Sequence, residues 1–222
     1  MIERGGTNQE RLYLFDMNFQ VHGKPISIKK TDMPDMRDII HRHQSRYSLP
    51  IFFSRPGMKV LDFPCGSGYA YSLFNNVIYE GMDNDWVTIE YARRLYCNSE
   101  KVFFKNDLEK PGLSNNKYDI IACIEGLEHI DLKFQQPLID CFKKALKVGG
   151  RLIVSSPEAY DKSGPSKDNP YHKGELTKLG FTGLLESVFK NIHIITIEDK
   201  LHNGSKANLM FGICQKEGDS NG

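Results

Sequence analysis

The chain has 222 residues and a formal net charge of +1, so it is long enough for one sizeable core and lacks the basic excess typical of nucleic-acid-binding surfaces. Hydrophobic residues make up 40% and charged residues 26%, values of an ordinary globular protein. Five scattered cysteines without a CxxC pair argue against a disulfide framework or a thiolate zinc site and favour the reducing cytoplasm. We expect no membrane span and no leader sequence, because no segment has the required apolar length.

The first elements in chain order are a hairpin and a helix. In residues 12–30, apolar and aromatic positions flank an HGKP turn, which favours a short hairpin, with a lid or a dimer arm as the alternatives. Residues 34–47 predict a helix with apolar residues on one face and Pro34 near its start. From Lys59 onward, short apolar runs typical of buried strands alternate with helical patterns. The predicted strands are MKVLDF, NVIYEGMD, KVFF, YDIIACI, RLIVSS, NIHIITIED and ANLMFGICQK. The predicted helices start at YAYSLF or span WVTIEYARRLYC, FQQPLIDCFKKALK and GELTKLGFTGLLESVF.

Continuous apolar strands separated by helices predict an α/β fold. We expect a doubly wound, mostly parallel seven-stranded sheet with helices on both faces and an N-terminal helical extension. The expected organisation is an extension and lid over residues 1–50, a main domain over 51–217 and a frayed tail over 218–222. Ligands of such sheets bind beyond the carboxyl ends of the strands, which directs attention to the residues that follow each strand.

A glycine-rich loop follows the strand MKVLDF. Gly66 and Gly68, in PCGSGY, permit backbone angles or a close ligand approach that side chains would block. A glycine pair alone also fits an ordinary tight turn. Carboxylates, however, end or follow the first three strands of the main domain, at Asp62, Asp83 and Asp107. A carboxylate at the end of the second strand can accept both ribose hydroxyls of a nucleoside.

Five segments together resemble the class I S-adenosylmethionine-dependent methyltransferases. They are VLDFPCGSGY, GMDND, NDLEKP, YDIIACIEGLEHI and LKVGGRLIVSSP, and the resemblance runs from about residue 36 to the final strand. It implies S-adenosylmethionine as the cofactor, with Asp83 on the ribose, Asp107 on the adenine amine and Leu108 against the adenine ring. Pro64 stands where members of the family more often carry glycine. The residues implied to bind the cofactor are Asp62, Pro64, Gly66, Gly68, Asp83, Asn84, Asp107, Leu108, Glu125, Arg46 and Tyr47.

The segment IIHRHQSRY narrows the resemblance further. It is similar to an H-x-x-RY element of methyltransferases encoded with polysaccharide and glycan biosynthesis genes, and His43, Arg46 and Tyr47 fill that element here. The resemblance implies that this helix closes over the methionine end of the cofactor, with Arg46 or Tyr47 near its carboxylate. Alternatively, Arg46 is a solvated helix residue and Tyr47 only packs.

The segment IACIEGLEHI carries the candidate catalytic residues. If Glu125 begins a helix, Glu128 and His129 lie on the same helical face, because residues three and four apart are neighbours. One hypothesis is that these side chains only stabilise a helix end. A second is that His129 or His172, with Glu125 nearby, acts as a general base. A third is that Glu125, Glu128, His129 and His172 bind a divalent metal, since E-x-x-E-H with a distant histidine resembles ubiquinone-pathway O-methyltransferases and small-RNA 2′-O-methyltransferases.

The predicted function is methyl transfer from S-adenosylmethionine to a hydroxyl, or less favourably an amine, of a small polar acceptor. A sugar or glycan precursor is the first candidate, on the IIHRHQSRY and NPYH resemblances. The alternatives are a quinone-pathway methyltransferase and a metal-dependent RNA 2′-O-methyltransferase. The near-neutral charge disfavours nucleic acid as a partner. From another class, the chain could be a non-catalytic module that binds a cofactor or a partner.

Overall fold

The computed structural model describes residues 2–4, 12–31, 36–200 and 206–218. In these residues the strands are β1 Ile2–Arg4, β2 Met17–Val21, β3 Lys24–Ile28, β4 Lys59–Asp62, β5 Ile78–Asp83, β6 Lys101–Lys105, β7 Tyr118–Cys123, β8 Leu146–Pro157, β9 Asn191–Lys200 and β10 Lys206–Gln215. The α-helices are α1 Met36–Ser45, α2 Ser48–Phe53, α3 Trp86–Tyr96, α4 Leu132–Ala145 and α5 Lys178–Glu186. Two short 3-10 helices span Tyr69–Leu73 and Leu127–His129.

The central sheet has seven strands in the order β6-β5-β4-β7-β8-β10-β9. Neighbouring strands from β6 through β8 are parallel, whereas β10 is antiparallel to both β8 and β9. The prediction of a mostly parallel seven-stranded sheet is therefore confirmed. The chain builds outward from β4 to β5 and β6 and then returns to β7 on the other side. This reversal creates a crevice beyond the carboxyl ends of β4 and β7, where ligands of doubly wound sheets bind.

Both faces of the sheet are covered, because alternate residues of each strand point to opposite sides. On β7, Ile121 and Cys123 belong to a buried cluster that contains Phe142 of α4. Ile120 and Ala122 belong to a second buried cluster that contains Ala92 of α3. This two-sided burial explains why the strand reads as a continuous apolar run.

The predicted N-terminal hairpin is also confirmed. β2 and β3 are antiparallel, β1 adds to β3 in parallel, and the three strands form a separate small sheet. His22 and Gly23 turn the chain with φ values of 49° and 74°, which is the backbone shape of a two-residue hairpin turn with positive φ at both positions. Phe19 and Ile28 pack in one cluster with Tyr91 of α3, so the hairpin rests on the main domain.

The irregular segment before the hairpin ties this small sheet to α3 and to the glycine-rich loop that follows β4. The Tyr13 hydroxyl lies 2.9 Å from that of Thr88, and the Phe15 N–H donates to the Tyr91 hydroxyl at 2.9 Å. The Ser67 hydroxyl, inside the glycine-rich loop, donates to the backbone carbonyl of Leu12. Residues 12–15 therefore run from α3 to the glycine-rich loop.

Several helix predictions differ from the structure, and the helix predicted over residues 174–189 is the shorter α5 Lys178–Glu186. YAYSLF forms only the 3-10 helix Tyr69–Leu73, because the chain must turn at Asn76, with φ 55°, to enter β5. The helix predicted over 34–47 is α1, which ends at Ser45 before a second helix, α2, while Pro34 lies outside the described residues. The helix predicted over residues 134–147 is α4, which ends at Ala145, two residues before the end of its pattern. Most of the predicted 218–222 tail lies outside the described residues.

No described helix combines the length and apolarity that a membrane span requires.

Candidate active site

The glycine-rich loop joins β4 to the first 3-10 helix. Gly66 and Gly68 have φ values of 53° and 78°, conformations that side chains disfavour. A Cβ on Gly68 would lie 2.8 Å from the Phe103 ring, whereas the space around a Cβ on Gly66 is open to 4 Å. Pro64 follows a cis peptide bond and packs on Gly126, where an added Cβ would lie 2.5 Å from the Pro64 ring. Gly68 thus allows the loop to pack against Phe103, whereas Gly66 leaves open space beside the loop.

Asp83, at the end of β5, is held against this loop. Its side chain is 1% exposed, and its two oxygens accept from the backbone N–H groups of Gly66 at 3.2 Å and Asp85 at 3.0 Å. Asn84 follows it at the exposed edge. These bonds fix the orientation of the Asp83 carboxylate before any ligand arrives.

Asp107 and Leu108 follow β6 and separate into an exposed and a buried position. Asp107 is exposed and accepts from the Glu109 N–H at 3.0 Å. Leu108 is 7% exposed and packs in the cluster that contains Met82 and Leu61. Leu108 therefore provides an apolar contact surface, whereas Asp107 provides an acceptor at the rim.

Asp62, at the end of β4, is fully buried beneath the loop. Its carboxylate accepts from the Tyr79 hydroxyl at 2.6 Å and from the Tyr47 hydroxyl at 3.1 Å. Burial raises the pKa of Asp62 to about 7, although the two tyrosine hydrogen bonds lower it and Asp83 raises it further. In this structure Asp62 holds two tyrosines in place rather than presenting an exposed acceptor.

Arg46 lies in the connection between α1 and α2 and is not solvated. Its side chain is 14% exposed, with one Nη atom 3.1 Å from Glu125 and the other 3.1 Å from Asp199. One turn earlier, His43 lies 3.3 Å from the Tyr69 hydroxyl. Burial, with the nearby Arg46 charge, lowers the pKa of His43 to about 4. The end of α1 is therefore an integral part of the polar site.

Glu125 does not begin a helix. Its φ is +51°, a left-handed conformation, and its N–H donates to the Ser155 hydroxyl at 3.0 Å. The Ser155 hydroxyl is in turn 3.3 Å from the Glu125 carboxylate, which also pairs with Arg46. Burial raises the pKa of Glu125 and Arg46 opposes that rise. The expectation of one helical face shared by Glu125, Glu128 and His129 is wrong, because the chain turns sharply at Glu125 and the helix that follows is only Leu127–His129.

Glu128, His129 and His172 come together at the carboxyl end of β7. Their potential ligand atoms all lie within 4.8 Å of one another. Glu128 is 1% exposed, and its Oε2 has no hydrogen-bond partner among the described residues. Burial raises the pKa of Glu128 well above its usual range, and the neighbouring Glu125 raises it further. Glu125 is absent from this group of three, since its carboxylate is engaged by Arg46.

The two histidines are anchored by different acceptors. The His172 Nδ1 lies 2.6 Å from the Glu175 carboxylate, and the His129 Nδ1 lies 3.3 Å from the Tyr171 carbonyl. The centroids of the two imidazole rings are 5.2 Å apart, and the rings meet edge to face. The loop that carries His172 is fixed because the Gly174 N–H donates to the Glu128 carbonyl at 3.0 Å.

Several residues of the site were missed from the sequence. Glu175 stands three positions after His172, a spacing that could have identified it. Asp199 ends an alternating strand pattern, IITIED, which marks it as a strand-end carboxylate but not as a partner of Arg46. Ser155 and Tyr79 lie within apolar runs that hide their polar atoms.

Comparison with known proteins identifies the family. A family model described as a methyltransferase domain matches residues 34–197. This chain belongs to the class I S-adenosylmethionine-dependent methyltransferases. A S-adenosylmethionine-dependent methyltransferase of Methanosarcina mazei has the same fold, with a TM-score of 0.64 and 15% identity over 77% of this methyltransferase and 98% of that chain. The cyclase SpnF superposes with a TM-score of 0.67 and 12% identity over 93% of this chain and 89% of its own.

Curated relatives match over shorter stretches of sequence. An uncharacterized methyltransferase of Schizosaccharomyces pombe is 27% identical over 141 residues, or 58% of this chain and 48% of that protein. A ubiquinone/menaquinone biosynthesis C-methyltransferase of Shewanella oneidensis is 27% identical over 124 residues, or 52% and 49% of the two chains. This methyltransferase spans about half the length of these relatives.

Proposed function

We propose that this methyltransferase transfers the methyl group of S-adenosylmethionine to a hydroxyl, or with weaker support an amine, of a small polar acceptor. A sugar or glycan precursor is the favoured acceptor. The observation that carries the proposal is the group Glu128, His129 and His172 at the end of β7, directly beside the glycine-rich loop that follows β4. Side chains that can accept a proton and a glycine-rich loop of the kind that binds nucleotides therefore border the same crevice.

The residues around the loop fit the cofactor. The open space beside Gly66 leaves room for a ligand to approach the backbone, and its neighbour Asp83 offers a fixed, buried carboxylate for ribose hydroxyls. Leu108 and Asp107 supply the apolar surface and rim acceptor that an adenine needs. Arg46 supplies N–H donors for the methionine carboxylate, because two of its five N–H groups suffice for its two ion pairs.

His172 is the proposed proton acceptor. When bound, S-adenosylmethionine supplies a methyl group already activated by its sulfonium. The protein must therefore align the acceptor and remove one proton. If the Nδ1–H of His172 donates to Glu175, the neutral ring carries its basic lone pair on Nε2, the atom that would accept the proton, and the 2.6 Å contact holds the ring in that orientation. His129, on the neighbouring element, is the second candidate.

Two segments are proposed to cover the acceptor. One is the 158–174 loop, which is pinned by the Gly174 contact to Glu128 and carries Tyr171 with 54% exposure. The other is the N-terminal extension, whose Leu12 carbonyl meets the glycine-rich loop at Ser67. Enclosure by these segments would exclude water and define which acceptor fits.

Calorimetry with S-adenosylmethionine tests the proposal. The wild-type protein should bind, and Asp83→Asn should weaken binding at least tenfold because the ribose hydroxyls lose a carboxylate acceptor. Asp140→Asn, an exposed carboxylate on α4, is the matched control and should bind as the wild type does. Thermal melting of both variants separates lost binding from lost folding. Absence of binding to the folded wild type would refute the cofactor assignment and favour a non-catalytic module.

Acceptor chemistry needs a second experiment. Transfer of a radiolabelled methyl group should be measured against nucleotide sugars and other polyhydroxyl compounds, with His172→Gln and His129→Gln in parallel. We expect His172→Gln to lower kcat with little change in the KM for S-adenosylmethionine. Because the Shewanella relative is named a C-methyltransferase of ubiquinone/menaquinone biosynthesis, a quinone precursor belongs in the same panel. Methylation of carbon in that precursor alone would replace the hydroxyl proposal.

A metal-dependent reaction is the second candidate, and one observation favours it. The buried Glu128 Oε2 has no hydrogen-bond partner among the described residues, and potential ligand atoms of Glu128, His129 and His172 lie within 4.8 Å of one another. A carboxylate with two imidazoles suits manganese, iron or zinc better than magnesium. A cation there would replace the proton that the raised pKa of Glu128 favours, and would lower the pKa of a coordinated hydroxyl, as an RNA 2′-O-methyltransferase would need.

Titration of the purified protein with Mn²⁺ or Zn²⁺ tests the metal candidate. Binding should be lost in Glu128→Gln and kept in Glu158→Gln, a partly exposed carboxylate of the following loop. Binding of neither metal, together with activity that resists a chelator, would leave the metal-free mechanism.

A further inference from the structure

A carboxylate that belongs to no sequence motif completes the polar site. Asp199 lies near the end of β9, the edge strand, 153 positions after Arg46 in the chain, and the two side chains are 3.1 Å apart. β9 is separated from β7 by β8 and β10. Arg46 thus reaches across the ends of two intervening strands, with Glu125 on one side and Asp199 on the other.

The three side chains are largely shielded from solvent. The exposed fractions are 14% for Arg46, 24% for Glu125 and 17% for Asp199. Charge-assisted hydrogen bonds are stronger in such surroundings than at a fully exposed surface. Asp199 is therefore placed to affect how the Arg46 side chain is oriented.

The presence of two carboxylates on one guanidinium has a geometric consequence. An arginine with a single carboxylate partner favours a bidentate pair, in which two parallel N–H groups bind the same carboxylate. In this site each carboxylate takes a different Nη atom. Asp199 therefore holds the guanidinium away from a bidentate pair with Glu125 and keeps other N–H donors available.

We propose that Asp199 is a positioning residue for the cofactor: it holds Arg46 so that the guanidinium can bind the carboxylate of the methionine part of S-adenosylmethionine. The inference rests on the proposed function, in which Arg46 meets that carboxylate. It predicts that Asp199 affects only ligands that carry the carboxylate. A merely structural role would affect every ligand of the crevice alike.

Two ligands and a matched set of variants test the inference. Affinities for S-adenosylmethionine and for 5′-methylthioadenosine, which lacks the amino-acid part, are measured for wild type, Asp199→Asn and Asp199→Glu. We expect Asp199→Asn to weaken the affinity for S-adenosylmethionine about tenfold, which is the scale of one charge-assisted contact. The affinity for 5′-methylthioadenosine should stay within about twofold of the wild-type value. Asp199→Glu should recover part of the affinity. Glu198→Gln is the control, since the adjacent Glu198 pairs with Lys206 at the surface.

Coupling to Arg46 is tested in the same assay. In an Arg46→Met background, Asp199→Asn should cause no further loss, because the residue through which it acts is gone. An equal loss for both ligands in Asp199→Asn, or an additive loss in the double variant, would overturn the positioning role.

Guanidinium NMR separates this inference from the proposed function. With ¹⁵N-labelled arginine and no ligand, the Arg46 Nη signals should be resolved in the wild type and averaged in Asp199→Asn, because the second anchor is lost. Unchanged signals would refute the positioning of Arg46 by Asp199, whatever the protein binds. Changed signals in a protein that does not bind S-adenosylmethionine would refute the proposed function and leave Arg46 positioned by Asp199.

Discussion

Asp62 should make the stability of the protein depend on pH in a direction opposite to that of most carboxylates. Its side chain is fully buried, and its pKa rises from 3.8 to about 7, chiefly because burial disfavours the charged form. Between these two values the folded state keeps the proton while the unfolded state releases it. Folding stability from this group is therefore complete below pH 3.8 and is lost as the pH rises to about 7.

The size of the effect follows from the two pKa values. Their difference is about three, and each unit corresponds to about 1.4 kcal/mol, so ionisation of Asp62 should cost about 4 kcal/mol of the free energy of unfolding. Asp62→Asn cannot ionise and lacks this dependence. The stability of the wild type minus that of Asp62→Asn should therefore fall by about 4 kcal/mol between pH 4 and pH 8.

Urea unfolding followed by circular dichroism at several pH values measures this difference. Taking the difference between the two proteins cancels the other titrating groups. Tyr79→Phe provides a second check, since it removes the 2.6 Å hydrogen bond that stabilises the charged carboxylate and should extend the decline to higher pH. A wild-type minus Asp62→Asn difference that stays constant from pH 4 to pH 8 would refute a raised pKa for Asp62.

Three further predictions concern other parts of the site and its support. Glu80→Gln should destabilise the protein by about 2 kcal/mol in urea unfolding, because Glu80 contacts Lys59 at 2.8 Å and Lys117 and Tyr118 at 2.7 Å. Glu90→Gln, in a partly exposed pair with Arg94, should cost under about 0.5 kcal/mol, and equal losses in the two variants would contradict this ranking. Gly68→Ala should lower the melting temperature and weaken the binding of S-adenosylmethionine, since φ is +78° and the new Cβ would meet Phe103. Gly183→Ala is the control and should do neither, because the space around a Cβ there in α5 is open. An unaltered melting temperature of Gly68→Ala would disprove the packing argument. The lowered pKa of His43 means that the folded state favours the neutral imidazole ring, so the stability from this group is retained above pH 6.5 and lost as the pH falls towards 4. His43→Gln should remove that part of the acid sensitivity. An acid unfolding transition that is the same in His43→Gln and the wild type would count against the lowered pKa.

The central sheet was predictable because burial on both faces leaves a direct trace in the sequence. A strand such as Tyr118–Cys123 has no solvent-facing side, so its residues form an apolar run that periodicity detects. The positions that follow such strands were also predictable, since they share one edge of the sheet. The short 3-10 helices were not, because one turn of helix has too few residues to show a period.

The detailed shape of the site depends on contacts that no local pattern contains. The left-handed turn at Glu125 precedes Gly126, which fits because it packs against Pro64, a residue of a different loop. The pairing of Arg46 with Asp199 joins the beginning and the end of the chain, so spacing carries no information about it. Even the approach of His172 to His129 was suggested by a family resemblance rather than by periodicity.

The bond between Ser67 and Leu12 has a consequence for how mutational data on this protein should be interpreted. The donor is a side chain, but the acceptor is a main-chain carbonyl, which every amino acid possesses. Replacing residue 12 therefore keeps the acceptor, while replacing residue 67 removes the donor. A scan of single substitutions would therefore detect this contact only at Ser67, because substitutions of Leu12 report on its buried side chain and not on its carbonyl.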